Sequence, residues 1–187
     1  EQAFRKVMEF NIQAGVHGFW ICGGTGESVL LREEEVIRIT EVAMDQAGGR
    51  VKNIIHVGAL TTDQAIRTAR AVGNLGADAI CAVPPFFYHP SEESIIYHYR
   101  AVSEAAGKPF FVYNLPQSTG VEVTVGLMEK LVKEIPLLVG VKHSAPNFEN
   151  IRNFTALGVS TFTGSAYMFL PALVMGAIGG IDGPPNI

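Results

Sequence analysis

The sequence is short of several things. Only two of its 187 residues are cysteine, Cys22 and Cys81, far apart and each set in an apolar, strand-like run. A disulfide or a metal pair is the lesser reading of these two; buried free thiols in a reducing compartment are the favoured one, so a cytoplasmic protein is expected. Lysine and arginine total 14 against 18 acidic residues, a formal net charge of -4, and no basic run occurs. Such a balance gives no long-range attraction for nucleic acid or for an anionic membrane surface, and neither is expected as a partner. No apolar segment approaches the ~20 residues that span a bilayer. The five histidines, His17, His56, His89, His98 and His143, stand in dissimilar contexts without H-x-H or H-E-x-x-H spacing, so no metal is expected. The first residue is Glu1 rather than methionine, and the gene is expected to start upstream. With no low-complexity tract and no linker, residues 1–187 read as a single domain.

What is present is a regular alternation. Hydrophobic residues make up 48% of the chain, enough for a substantial core. Short β-branched or aromatic runs, "GFWIC", "NIIHVGA", "AICAVP", "PFFVYN", "LLVGVK", "VSTFTG" and "GAIGGID", are separated by longer amphipathic stretches. Most of the runs are apolar on both faces, as parallel strands covered on each side should be. The stretches carry helix signals: Glu33 to Glu35 at one start, Thr61-x-x-Gln64 at another, Ser91 before two acids at a third, and glycines near the ends. Pro171 is expected to kink the last helix or to sit in its first turn. The pattern predicts an α/β fold, a (β/α)8 barrel. Seven strands after an opening helix read as an interior piece, with the first strand before Glu1 and C-terminal helices after Ile187. The rival is an open doubly wound sheet, but "GGTGES" matches neither of the glycine-rich phosphate turns that such folds use.

In a barrel, chemistry belongs at the C-terminal ends of the strands. Lys142 ends the run "LLVGVK". At an ordinary pKa of ~10.4 only about one lysine in 2,500 is a free amine at pH 7. An apolar strand end favours the neutral form, and lowering the pKa to ~7 corresponds to roughly 4.6 kcal/mol. Such an amine suits Schiff-base formation with a carbonyl compound; the plain alternative is a lysine that snorkels to solvent. Tyr113 ends "PFFVY" and is either a proton-transfer group or a buried tyrosine bonded to backbone. "GGTGE" is either a nest of N–H groups able to hold a carboxylate or an ordinary tight turn that Glu27 anchors. His143 should point away from Lys142 and pack.

The combination and order of "GGTGES", "YNLPQSTG" and "GVKHS" at successive strand ends resembles the dihydrodipicolinate synthase/N-acetylneuraminate lyase family, class I aldolases that form Schiff bases with pyruvate or related 2-oxo acids. The resemblance covers essentially the whole chain. It implies that Lys142 forms the imine and Tyr113 transfers protons and contacts the substrate carboxylate. Gly24 and Thr25 would bind that carboxylate, and Ile181 would line the pyruvate end through its backbone. Ser144, Gly164 and Ser165 join them as candidate substrate contacts. It further implies a small 2-oxo acid substrate, no cofactor and a homotetramer. Against the synthase pattern, Gly24 stands where a hydroxyl residue is usual, Ser118 where an arginine is usual, and Phe87 where a tyrosine completes a proton relay. "HVGAL" and "PPFFYHP" fit the lyase branch better, so lyase-like cleavage is the expectation and synthase-type condensation the alternative. Ser165, Ala166, Tyr167 and Gly183 depart from the lyase's polyol-binding pattern. A phosphate-binding barrel isomerase, suggested by "FTGSAY" and "GGIDGPP", and a non-catalytic homologue are the remaining readings.

Overall fold

The structure, a computed structural model, describes residues 1–183; residues 184–187, the end of the expected segment "IDGPPNI", lie outside the described residues. Helix α1 (Gln2–Gln13) leads into strands β1 (Gly18–Ile21), β2 (Lys52–His56), β3 (Ala79–Ala82), β4 (Phe110–Asn114), β5 (Leu138–His143), β6 (Ser160–Thr163) and β7 (Gly179–Gly180). Between them run α2 (Glu33–Ala47), α3 (Thr62–Asn74), α4 (Glu92–Ala106), α5 (Pro116–Thr119), α6 (Val125–Glu134), α7 (Asn150–Ala156) and α8 (Phe169–Val174).

The strands form one sheet in chain order, and every pairing is parallel. A doubly wound sheet reverses strand order at a switch point; here the order never reverses. Its two faces also differ. Outward side chains such as Ile21, Ile55, Ile80, Val112 and Val141 join Val36, Ala69, Val102 and Leu131 of the helices in the main core. The opposite face carries a separate cluster of Trp20, Ile54, Ala79, Cys81, Phe111 and Phe162, all from strands. With helices on one face only, the sheet curls into the wall of a (β/α) barrel.

The local signals explain the helix ends. Thr61, Ser91 and Thr124 each accept a backbone N–H from three residues on, at 3.3, 3.3 and 3.2 Å, satisfying one orphan donor apiece. Gly48 and Gly107 close α2 and α4 in the left-handed conformation, at φ 54 and 59. Pro171 falls in the first turn of α8, where its missing N–H costs nothing. Two features were not legible. A one-turn helix, α5, lies within "YNLPQSTG", and β7 is cut to two residues of "GAIGGID".

One irregularity places the site. Phe110 pairs with Leu138, but Phe111 pairs with Gly140, so the β4–β5 ladder skips Val139. This bulge lets Leu138 pack among the helices while Gly140 and Lys142 face the barrel interior. It also sets Lys142 directly opposite Tyr113.

Candidate active site

Lys142 and Tyr113 are neighbours on adjacent strands and point into the same interior. The lysine is only 7% exposed. Its Nζ lies 3.4 Å from the Tyr113 hydroxyl, 4.4 Å from the centre of that ring and 5.3 Å from the centre of Trp20. Two glycines make the space. A Cβ on Gly140 would stand 2.3 Å from the Phe111 ring and 2.4 Å from the Ser160 carbonyl oxygen. One on Gly164 would stand 1.8 Å from the Ser144 Oγ and 3.2 Å from Lys142 Cε. Gly164 is therefore the floor over which Ser144 and Lys142 lie.

The turn after β1 comes over this pair. Cys22 leaves the strand in the left-handed region, φ 56. The Glu27 N–H then bonds the Gly24 carbonyl at 3.0 Å, and the Ser28 N–H bonds the Gly23 carbonyl at 3.3 Å. Glu27, itself left-handed at φ 52, thus anchors the turn by its backbone. The turn leaves the N–H groups of Gly24, Thr25 and Gly26 unspent on its own carbonyls. The Tyr113 hydroxyl lies 3.4 Å from where a Cβ on Gly24 would stand, and both Gly24 and the Ser144 side chain are close enough to favour its ionised form. One phenol therefore links Lys142, Ser144 and the carboxylate-nest candidate. Across the mouth, the Thr25 hydroxyl lies against Gly183, 3.3 Å from where its Cβ would be.

Burial decides the charges. Desolvation pushes the Lys142 amine down to about 8 from its ordinary 10.5, with the Asp182 carboxylate holding it partway up. Cys81, the other group that favours the ammonium, is a buried thiol held well above its ordinary value and stays uncharged where the amine titrates. At pH 7 roughly a tenth of such amines are free, against about one in 2,500 in water. Desolvation raises Tyr113 to about 12, so it is a phenol, not a phenolate, at neutral pH.

Not every candidate joins the cluster. Ile181 spends its N–H on the Thr163 carbonyl at 2.8 Å, leaving only its carbonyl for a ligand. Ser165 sits at the turn after β6, where its N–H donates to the Thr163 hydroxyl at 3.3 Å. Tyr88 and Tyr167, two of the hydroxyl side chains at strand ends, are 81% and 93% exposed, whereas the amine is buried. His143 packs outward as expected, bonded to Asn147 and Asn114 and edge-on to Phe154. Both cysteines are buried and free. Among the described residues, no group of three or more His, Cys, Asp or Glu is placed to hold a metal, and no helix is long and apolar enough to cross a membrane.

Two participants, Trp20 and His56, escaped sequence reasoning, and a third, Asp182, stood among the polar strand-end residues without a role. Trp20 walls the amine, Asp182 biases it, and His56 is buried beside Tyr113, ring centres 6.1 Å apart. Two cavities open here. One of about 200 Å³ is lined by Gly24, Glu27, His56, Tyr113 and Ser118 among others. A second, of about 160 Å³, lies between the start of α2 and the β2–α3 turn, with Glu33, His56, Leu60 and Gln64 in its wall. Lys142 lines neither, but its neighbour Tyr113 lines the first.

Against known proteins, residues 1–187 match the model of the Dihydrodipicolinate synthetase family. The chain belongs to that family. Among its curated relatives, the 4-hydroxy-tetrahydrodipicolinate synthase of Oleidesulfovibrio alaskensis is 30% identical over all of this chain and 65% of its own length. The enzyme of the same name from Syntrophus aciditrophicus is 33% identical over the same shares. The chain thus spans about 65% of the relatives it matches. Solved structures of the family superpose closely. The dihydrodipicolinate synthase of Aquifex aeolicus gives a TM-score of 0.95 at 31% identity, covering 100% of this chain and 64% of that one. A catalytic-lysine mutant of the Ruminococcus gnavus sialic acid aldolase also gives 0.95, at 30% identity, covering 99% and 62%. The family expectation therefore holds. The curated relatives carry the synthase name, so they favour condensation over the lyase-like cleavage expected from the sequence.

Proposed function

We propose that the whole protein is a Schiff-base aldolase in which Lys142 condenses with pyruvate or a related 2-oxo acid. The observation that carries this reading is a buried amine, pushed down to about 8, set 3.4 Å from a tyrosine hydroxyl at a barrel mouth. The neutral Lys142 attacks the 2-oxo carbonyl carbon, and water leaves as the imine forms. The substrate carboxylate rests on the N–H groups of Gly24 and Thr25 and on the Thr25 hydroxyl, while the Ile181 backbone lines the pyruvate end of the pocket. The protonated imine draws electrons from the adjoining carbon, so a bond between the third and fourth carbons can break or form. Tyr113 passes the proton, resupplied through Ser144. The electron sink is the imine itself, which is why the reading calls for no cofactor. Pyruvate with borohydride should leave an irreversible mass adduct on the full-length protein, and Lys142→Ala should abolish it. An adduct that survives in the variant refutes the assignment.

The direction and the second substrate are a separate matter. Synthase-type condensation has the names of the relatives in its favour. Lyase-like cleavage has Ser118 in its favour: this residue lines the cavity beside Tyr113 where the synthase pattern places an arginine, and it offers no charge to a second carboxylate. Assaying pyruvate release from neutral sugar acids against pyruvate consumption with a carboxylated aldehyde separates the two. The expected homotetramer belongs to the same proposal and is checked by sedimentation.

A further inference from the structure

His56 takes no part in the chemistry above, yet it is 4% exposed and lines both cavities. Its ring lies among the ends of neighbouring strands. Nε2 accepts the Val83 N–H at 3.3 Å, so the ring proton must sit on Nδ1. Ile21 pairs with Ile55 across β1 and β2, so the next residues, Cys22 and His56, come side by side, and the Cys22 backbone is the group beside the ring that favours a proton on it. The ring thus spans the ends of β1, β2 and β3, and stands edge-on to Tyr113 of β4 at 87°. The chain makes room for it. A Cβ on Gly58 would lie 2.8 Å from Nε2 and 3.1 Å from the Val83 nitrogen.

Cys22 is the point of leverage. A non-glycine residue at φ 56 is held against a backbone preference of about 1 kcal/mol. This twist turns Gly23 to Gly26 back across the mouth. Gly23 packs so tightly that a Cβ would meet the Trp20 ring at 2.8 Å, and one on Gly24 would stand 3.4 Å from the Tyr113 hydroxyl.

We propose that His56 is a positioning residue: its neutral imidazole fastens Cys22 to the third strand and so aims the Gly24–Thr25 N–H groups at the substrate carboxylate. The proposal rests on the pyruvate reading for its ligand, but not for its geometry. Burial reinforces it by keeping the ring uncharged, pushed down to about 4 with Lys142 nearby also opposing a second positive charge.

The test compares His56→Asn, His56→Gln and His56→Leu in the full-length protein. Asparagine can reproduce the Nδ1–H donor toward Cys22, glutamine reaches Val83 instead, and leucine does neither. The pyruvate concentration that half-saturates borohydride trapping should rise about tenfold in the Leu and Gln variants, with the limiting rate within about twofold of wild type. His56→Asn should recover most of the loss. Amide hydrogen exchange at Gly23 to Gly26 should quicken in the same two variants and recover in Asn. Should wild type give no adduct, the Schiff-base reading fails alone, and the exchange rates still judge the clamp. Equal behaviour of Asn and Gln, or wild-type saturation and exchange in His56→Leu, overturns it; if His56→Leu does not fold, the Asn–Gln contrast decides.

Discussion

A lysine kept uncharged inside a protein is a cost to folding, and Lys142 shows the sign of that cost. Its folded value, about 8, lies below the ordinary 10.5, so between those limits the unfolded chain binds more protons and stability rises with pH. Below pH 8 the full penalty applies. Lys142→Met should therefore stabilise the protein by about 2–3 kcal/mol at pH 7 while abolishing adduct formation, read as a higher Tm. A lower Tm would mean that the amine is a structural anchor. In wild type, the rate of imine trapping should climb with pH up to about 8 and then level. Gly164→Ala is the sharpest steric test, because the new methyl would fall on the Ser144 hydroxyl. It should cost at least tenfold in trapping rate with little loss of Tm, since Gly164 lies in a half-buried turn. Lys142 and Tyr113 were legible in the sequence because each closes an apolar run. His56 and Trp20 were not, because their roles depend on what three neighbouring strands bring beside them.

At the scale of elements, the strands and most helices could be read directly, since apolar runs and caps are local signals. The α5 turn was hidden by Pro116 and Gly120, which look like loop residues but serve as the first helical position and the left-handed cap, φ 70. The lyase-like expectation was drawn from single positions such as Ser118 and Phe87, whereas the names of relatives matched along the whole chain favour the synthase alternative. Phe87 is itself strained, at φ 78, and 79% exposed, so its own surroundings do not define its role. A prediction belongs to β5. Gly140→Ala would collide with a backbone oxygen of β6 and with the Phe111 ring, neither of which can step aside. A loss of more than about 2 kcal/mol in urea unfolding is expected.

For the whole molecule, acid is the weak flank. His56 and His98 are both buried and both pushed down to about 4 by desolvation. From pH 6.5 downward the unfolded chain takes up protons that the folded one refuses, so stability falls until about pH 4, by roughly 3 kcal/mol for each ring. Urea midpoints measured between pH 7 and 4 should drop steeply, and His98→Asn should flatten part of the fall. The bulge in β5 has a different kind of consequence. Val139 is 39% exposed and paired with neither neighbouring strand. It is a spare link in a wall where every other link is counted. Excising it should leave the amine in place and borohydride capture intact, whereas excising Val141, two steps nearer the mouth, should turn the amine out among the helices and silence it. The barrel thus carries one site at which its perimeter tolerates a change of length, immediately beside a site at which it tolerates none.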